Sequence, residues 1–137
     1  MWGSGNILQV SSIGKMLPGP LQSMYHGTKS FVTSFTEAIW EETKDSGVTI
    51  PALLPGVTDT DFFRKADMER SKLVAEGSKA NPADVAKDSH EALLAGKAKV
   101  VSSFMNKVQV AVSNVVPDKL VAANLHAQGK PVNDAQQ

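Results

Sequence analysis

The 137-residue chain contains no cysteine, which excludes disulfide bridges and thiolate metal sites. It has no excess of either charge, because fourteen Lys and Arg balance fourteen Asp and Glu. That balance encodes no general attraction to nucleic acid, to an anionic membrane or to a strongly charged protein, and points to a small-molecule partner. Nowhere do about 18 uncharged apolar residues run together, and the amino terminus lacks the basic-then-apolar pattern of a signal peptide. Together these absences lead to the expectation of a soluble, cytoplasmic protein. Aromatic residues are 6% of the chain, with one tyrosine, two tryptophans and five phenylalanines. The three histidines, His26, His90 and His126, are far apart in sequence with no cysteine to join them, so no metal site is expected.

What is present is the composition of an ordinary globular domain, 42% apolar and 20% charged, and one domain over residues 1–137 is expected. Ile7-Leu8-Gln9-Val10, between glycines and serines, reads as a buried strand ending in a loop at Ser11-Ser12. After a loop with two prolines, Met24, Phe31, Phe35 and Ala38 recur at helical spacing, and this stripe predicts a long helix over 21–45 with these residues on its packing face. A second apolar set, Val32, Ile39 and Trp40, widens the stripe and suggests that the helix also packs on a neighbouring helix or on a second copy of the chain. Val48 to Leu54 reads as a second strand, with Pro51 in conflict, since a proline in a central strand removes a ladder hydrogen bond.

The polar stretch 58–80 reads as a mobile flap with a short helix near Phe62 to Glu69, and its mixed charges Asp61, Arg64, Lys65, Asp67, Glu69 and Arg70 as a solvated face. Asn81 is the expected N-cap of a further helix, with Pro82 at its first position and Gly96 at its end. Lys99 to Phe104 is the third expected strand. Val108 to Val116 suggests another helix, Pro117-Asp118 opens a last one through Leu125, and the tail 128–137 is expected to fray. Trp2 and Trp40 read as packing or interface aromatics. Strands alternating with helices predict an α/β fold with a parallel sheet covered by helices on both faces. Ligands in such sheets bind beyond the carboxyl ends of the strands, which here are Ser11-Ser12 and Pro55 to Thr60.

Tyr25 and Lys29, four apart on the long helix, share one face. The free phenol, with an ordinary pKa near 10, is a poor base at neutrality, but a nearby ammonium favours the phenolate, so the pair can act as an acid/base. Ser12, on the same expected edge, can hydrogen-bond a carbonyl or alkoxide oxygen while the tyrosine moves the proton. Tyrosine and lysine at this spacing are common and by themselves signify a packed ring and a solvated amine. The wider pattern is more specific: Val10-Ser11-Ser12, then Tyr25-His26-Gly27-Thr28-Lys29, then Pro55-Gly56-Val57-Thr58-Asp59-Thr60.

On these motifs the chain closely resembles the second half of the short-chain dehydrogenase/reductase family, classical type: a V-S-S strand end, Y-x-x-x-K thirteen residues past the second serine, and P-G-x-x-x-T after the next strand. The resemblance implies the carboxy-terminal part of a Rossmann-like doubly wound parallel sheet, about three strands with flanking helices. It further implies an oxidoreductase using NADP or NAD on a carbonyl or alcohol substrate. Ser12 would orient the substrate oxygen, Tyr25 would be the acid/base, and Lys29 would lower the tyrosine pKa and bind the nicotinamide ribose. Pro55, Gly56, Val57, Thr58 and Thr60 would cradle the cofactor together with Tyr25 and Lys29. Lys99 to Asn124 looks most like broadly acting bacterial members, which favours NADP.

The family's glycine-rich fingerprint and its selector for the adenosine ribose belong to a first half that these residues do not match. Gly3-Ser4-Gly5 precedes a strand, whereas a phosphate-binding loop follows a strand and opens a helix. The chain is therefore expected to begin mid-fold. A second reading follows, that of an inactive fragment or a helix-mediated association module with an open sheet edge at Ile7 to Val10.

Overall fold

The computed structural model describes residues 3–103, 106–108, 111 and 115–132, apart from the Met16 side chain. Two extended segments start the chain, β1 (Gly5–Asn6) with β2 (Gln9–Val10), and two more follow the long helix, β3 (Val48–Thr49) with β4 (Ala52–Leu54). They behave as two interrupted strands. Gly5 faces Val48, Asn6 faces Thr49, Gln9 faces Ala52 and Val10 faces Leu53, all parallel and in one register. Between them Ile7 N–H donates to the Thr49 carbonyl and Gln9 N–H to the Pro51 carbonyl. The third strand, β5 (Lys99–Val101), pairs parallel with β4 on its other side.

This arrangement explains how a central strand tolerates Pro51. A residue whose carbonyl faces a neighbouring strand directs its N–H to the same side. Pro51 turns its carbonyl toward Gln9, so the donor it lacks would have faced Ile7, and the ladder is interrupted between the paired segments at that point. Toward β5 the ladder is kept, with Ala52 N–H on the Ala98 carbonyl. The ring itself is fully buried.

The first strand departs from the buried strand expected of it. The strand order puts it at a sheet edge, and Ile7 and Val10 are each about half exposed. Alternation in the middle strand feeds two small cores. Leu53 packs with Val100 and with Val85 and Ala92 of helix α4 (Pro82–Leu94), while Ala52 and Leu54 pack with Ile13 on the other side. Asn81 caps α4, its side-chain oxygen accepting from Ala83 N–H at 2.8 Å, and Pro82 occupies the first turn.

Helix α1 (Ser23–Thr43) is where expectation and structure differ most. Met24, Phe31, Phe35 and Ala38 point outward, and Met24 and Phe31 are 80% and 67% exposed. The sheet-facing stripe instead runs Tyr25, Lys29, Thr33, Thr36, and the two threonines are completely buried. Threonine is tolerated there because each hydroxyl donates to the helix's own carbonyls, Thr33 to Lys29 and Thr36 to Val32. Apolar periodicity located the helix and misassigned its face.

The single helix expected in the flap near Phe62 to Glu69 is replaced by two short ones. The flap contains α2 (Phe62–Lys65) and α3 (Lys72–Ala75), and its ends are stitched together: Ala80 N–H donates to the Val57 carbonyl and Asp59 N–H to the Ala80 carbonyl. The last helix, α5 (Asp118–Gly129), runs past the expected end at Leu125. Residues 130–132 lie against the flap, where Lys72 N–H bonds the Lys130 carbonyl and Val132 N–H the Arg70 carbonyl. Of the expected helix over Val108 to Val116, Val108 and residue 111 are helical, continuing from 106–107, whereas Val115 and Val116 are turn and bend, so the helix stops short of its expected end; 109–110 and 112–114, with Trp2, Phe104 and residues 133–137, lie outside the described residues. Among the described residues no helix is long and apolar enough to cross a membrane, and no group of His, Asp and Glu could hold a metal ion.

Candidate active site

At the carboxyl ends of the strands lies a cavity of about 790 Å³. Every site residue that the family resemblance implies lines it: Ser12 at the end of the first strand, Tyr25 and Lys29 on α1, and Pro55, Gly56, Val57, Thr58 and Thr60 after the middle strand. Three elements distant in sequence converge because parallel strands all end on one edge of the sheet.

Ser12 is buried and caps the short 3-10 turn over residues 13–16. Its hydroxyl oxygen accepts from Gly14 N–H at 3.0 Å, which leaves the hydroxyl proton to donate. Ser11 does not serve the cavity in the same way. Its hydroxyl is tied into α1, 2.8 Å from the Lys29 carbonyl and 2.6 Å from Thr33 Oγ1. Lys29 Nζ donates to the Val10 carbonyl at 3.0 Å and sits 5.8 Å from the centroid of the Tyr25 ring. The Tyr25 ring is further bounded by His26 and by Phe62 of the flap, each with ring centroids 5.7 Å away. An ammonium, an imidazole and a phenyl ring therefore surround the Tyr25 ring.

Beyond the middle strand, Thr58 Oγ1 donates to the Gly56 carbonyl at 3.0 Å, tightening the turn. Gly56 is pressed against Asn106, and a Cβ there would lie 2.4 Å from Asn106 Oδ1. Asn106, which donates to the Ser102 carbonyl at 2.7 Å, is a cavity residue the sequence reading missed. It lies just past β5, so applying the strand-end rule to the third strand as well as to the first two would have found it. Leu17 and His26, Leu73 of the flap, and Leu125 and Gln128 of α5 also line the cavity. The distant residues among these carry no sequence signal, because only the fold brings them to the strand ends. Lys29 is the sole residue of fixed charge among the described lining residues, which otherwise offer hydroxyls, amides and apolar surface.

The sequence model of the family described as short chain dehydrogenase matches residues 2–71, which include Ser12, Tyr25, Lys29 and the loop from Pro55. The very-long-chain 3-oxoacyl-CoA reductase of Rattus norvegicus is 43% identical over 51 residues, 37% of this chain and 16% of its own length. The 3-oxoacyl-[acyl-carrier-protein] reductase of Synechocystis is 33% identical over 66 residues, 48% of this chain and 27% of its own length. Among solved structures, a short chain dehydrogenase from Burkholderia cenocepacia in complex with NADP superposes with a TM-score of 0.68 at 21% identity, covering 90% of this chain and 47% of that one. A short-chain dehydrogenase from Sphingobium yanoikuyae in complex with NADPH gives 0.67 at 17% identity, covering 96% and 47%. The chain thus spans under half the length of the relatives it matches.

Proposed function

The chain belongs to the short chain dehydrogenase family of oxidoreductases, and from that premise we propose that its cavity is the substrate half of a nicotinamide-dependent carbonyl/alcohol oxidoreductase site. The observation that carries this reading is the convergence of Ser12, Tyr25, Lys29 and the Pro55–Thr60 loop on one cavity. Its lining suits a nicotinamide ribose: one ammonium and several hydroxyls to meet sugar oxygens, with no carboxylate among the described residues to repel a phosphate. The cofactor is NADP or NAD, with NADP favoured by the NADP and NADPH held in two structural relatives. When bound, it supplies the hydride.

In this reading Ser12 donates its free proton to the substrate carbonyl oxygen and fixes its position. Tyr25 gives that oxygen a proton as the carbonyl is reduced and takes it back in the alcohol direction. Lys29, steadied by the Val10 carbonyl, holds the ribose hydroxyls and places positive charge beside the phenol. Pro55, Gly56, Val57, Thr58 and Thr60 would help to hold the cofactor. To test this, the chain is joined behind the first half of an NADP-bound relative and supplied with deuterium-labelled NADPH and a panel of ketones. Label appearing on the carbinol carbon supports the reading, and its absence from every product overturns it.

We further propose that the outward face of α1 pairs with a second copy of the chain. Phe31 and Phe35 stack on each other at 5.7 Å while facing solvent, an arrangement a partner surface would cover. Sedimentation of the wild type against Phe31→Glu measures this. A shift to the smaller species supports pairing, and unchanged sedimentation rejects it.

A further inference from the structure

The loop 13–20 follows Ser12, and its Ile13, Gly14, Leu17, Gly19 and Pro20 form one wall of the cavity. Two side chains of α1 hold this wall in place. Ser30 Oγ lies 2.9 Å from the Lys15 carbonyl, and His26 Nδ1 lies 2.8 Å from the Leu17 carbonyl. A carbonyl oxygen only accepts, so Nδ1 carries the proton and the neutral ring has a single possible tautomer.

The imidazole also fills a notch that requires glycine. A Cβ on Gly19 would lie 2.3 Å from Cδ2, 2.4 Å from Nε2 and 2.5 Å from Cγ of His26, distances no real atom pair sustains. A Cβ on Gly14 would lie 3.3 Å from Cε1. On its other side the ring meets Tyr25 edge-on, with centroids 5.7 Å apart and planes at 75°. One residue therefore touches the loop that begins at Ser12 and the ring of Tyr25.

We propose that His26 is a positioning residue that sets the spacing between the loop 13–20 and Tyr25, and so fixes the width of carbonyl substrate admitted between Ser12 and the phenol. The consequence for substrates rests on the site reading above, whereas the strut itself does not. A ring wedged in this way stops the loop from folding inward through Gly19 and from swinging outward past the Leu17 bond. Substitution should accordingly alter substrate fit more than the proton transfer itself.

The strut is tested on the 137-residue chain by amide exchange and by the ring resonances of Tyr25, the only tyrosine. The Leu17 amide, bonded to the Gly14 carbonyl, reports the loop. His26→Ala should speed its exchange about tenfold or more and move the Tyr25 resonances. His26→Asn, whose amide nitrogen can take the Nδ1 position, should restore most of the protection. Gly19→Ala should disturb the loop by itself, yet add nothing in the double variant with His26→Ala, where the obstructing ring is gone. Additive effects in the double variant, or unchanged Leu17 exchange in His26→Ala, would overturn the strut. In the fusion protein used for the hydride assay, His26→Ala should raise KM severalfold with a smaller change in kcat, and an equal loss in both directions of substrate size would overturn the assignment of width.

Discussion

Lys29 Nζ donates to the Val10 carbonyl at 3.0 Å while standing 5.8 Å from the centroid of the Tyr25 ring, so one ammonium ties α1 to the edge strand that leads into Ser12. A flexible amine held this way loses little further freedom when it engages a ligand. In the fusion protein, Lys29→Met should lower kcat/KM about a hundredfold, roughly 2.7 kcal/mol of transition-state stabilisation. Lys29→Arg should recover only part of this, because a planar guanidinium does not reproduce a compact ammonium. Steady-state kinetics of the two variants measures both effects.

The buried hydroxyls of Ser11 and Thr33 lie 2.6 Å apart and both lie within reach of the Lys29 carbonyl. Two protons serve three contacts, so each hydroxyl depends on the other. Thr33→Val keeps the shape and removes one member, and it should destabilise the chain by about 1 to 3 kcal/mol, read from the shift of its urea midpoint.

Ser102, completely buried, has a hydroxyl with no hydrogen-bond partner among the described residues. Ser102→Ala removes a desolvated polar atom at little cost in packing. Its stability should be unchanged or raised by up to about 1 kcal/mol, and a loss of that size or more would mean that the hydroxyl has a partner.

Among the described residues no glycine-rich fingerprint loop follows a strand and opens a helix. The isolated chain should therefore meet only the nicotinamide end of a dinucleotide. Several charge-assisted bonds at about 1.5 to 3 kcal/mol each would be missing, which places the dissociation constant in or beyond the millimolar range. Calorimetric titration with NADH and NADPH checks this, and a micromolar value for either would reveal a nucleotide site elsewhere in the chain.

The alternation of strands and helices and the cavity residues Ser12, Tyr25, Lys29 and Pro55 to Thr58 were legible in the sequence because they depend on local signals: branched runs closed by Ser11-Ser12 and Pro55-Gly56, and a spacing that puts Tyr25 and Lys29 on one helix face. The face of α1 was not legible, because burial of Thr33 and Thr36 depends on hydroxyls bonding backward to their own helix, a device that periodicity of apolar residues does not register. The exposed first strand and the tolerance of Pro51 both follow from strand order, which is a property of the sheet and not of either segment. Leu73 and Gln128 reach the cavity only through tertiary packing, whereas Asn106 follows the end of the third strand.

The central claim is that Tyr25 moves the proton on the substrate oxygen, and Tyr25→Phe tests it with the ring kept and only the hydroxyl removed. In the fusion protein, ketone reduction followed by loss of NADPH absorbance should fall far more than tenfold, while Leu17 amide exchange stays as in the wild type. Turnover within about tenfold of wild type, roughly 1.4 kcal/mol of barrier, would contradict the account and remove Tyr25 from the chemistry.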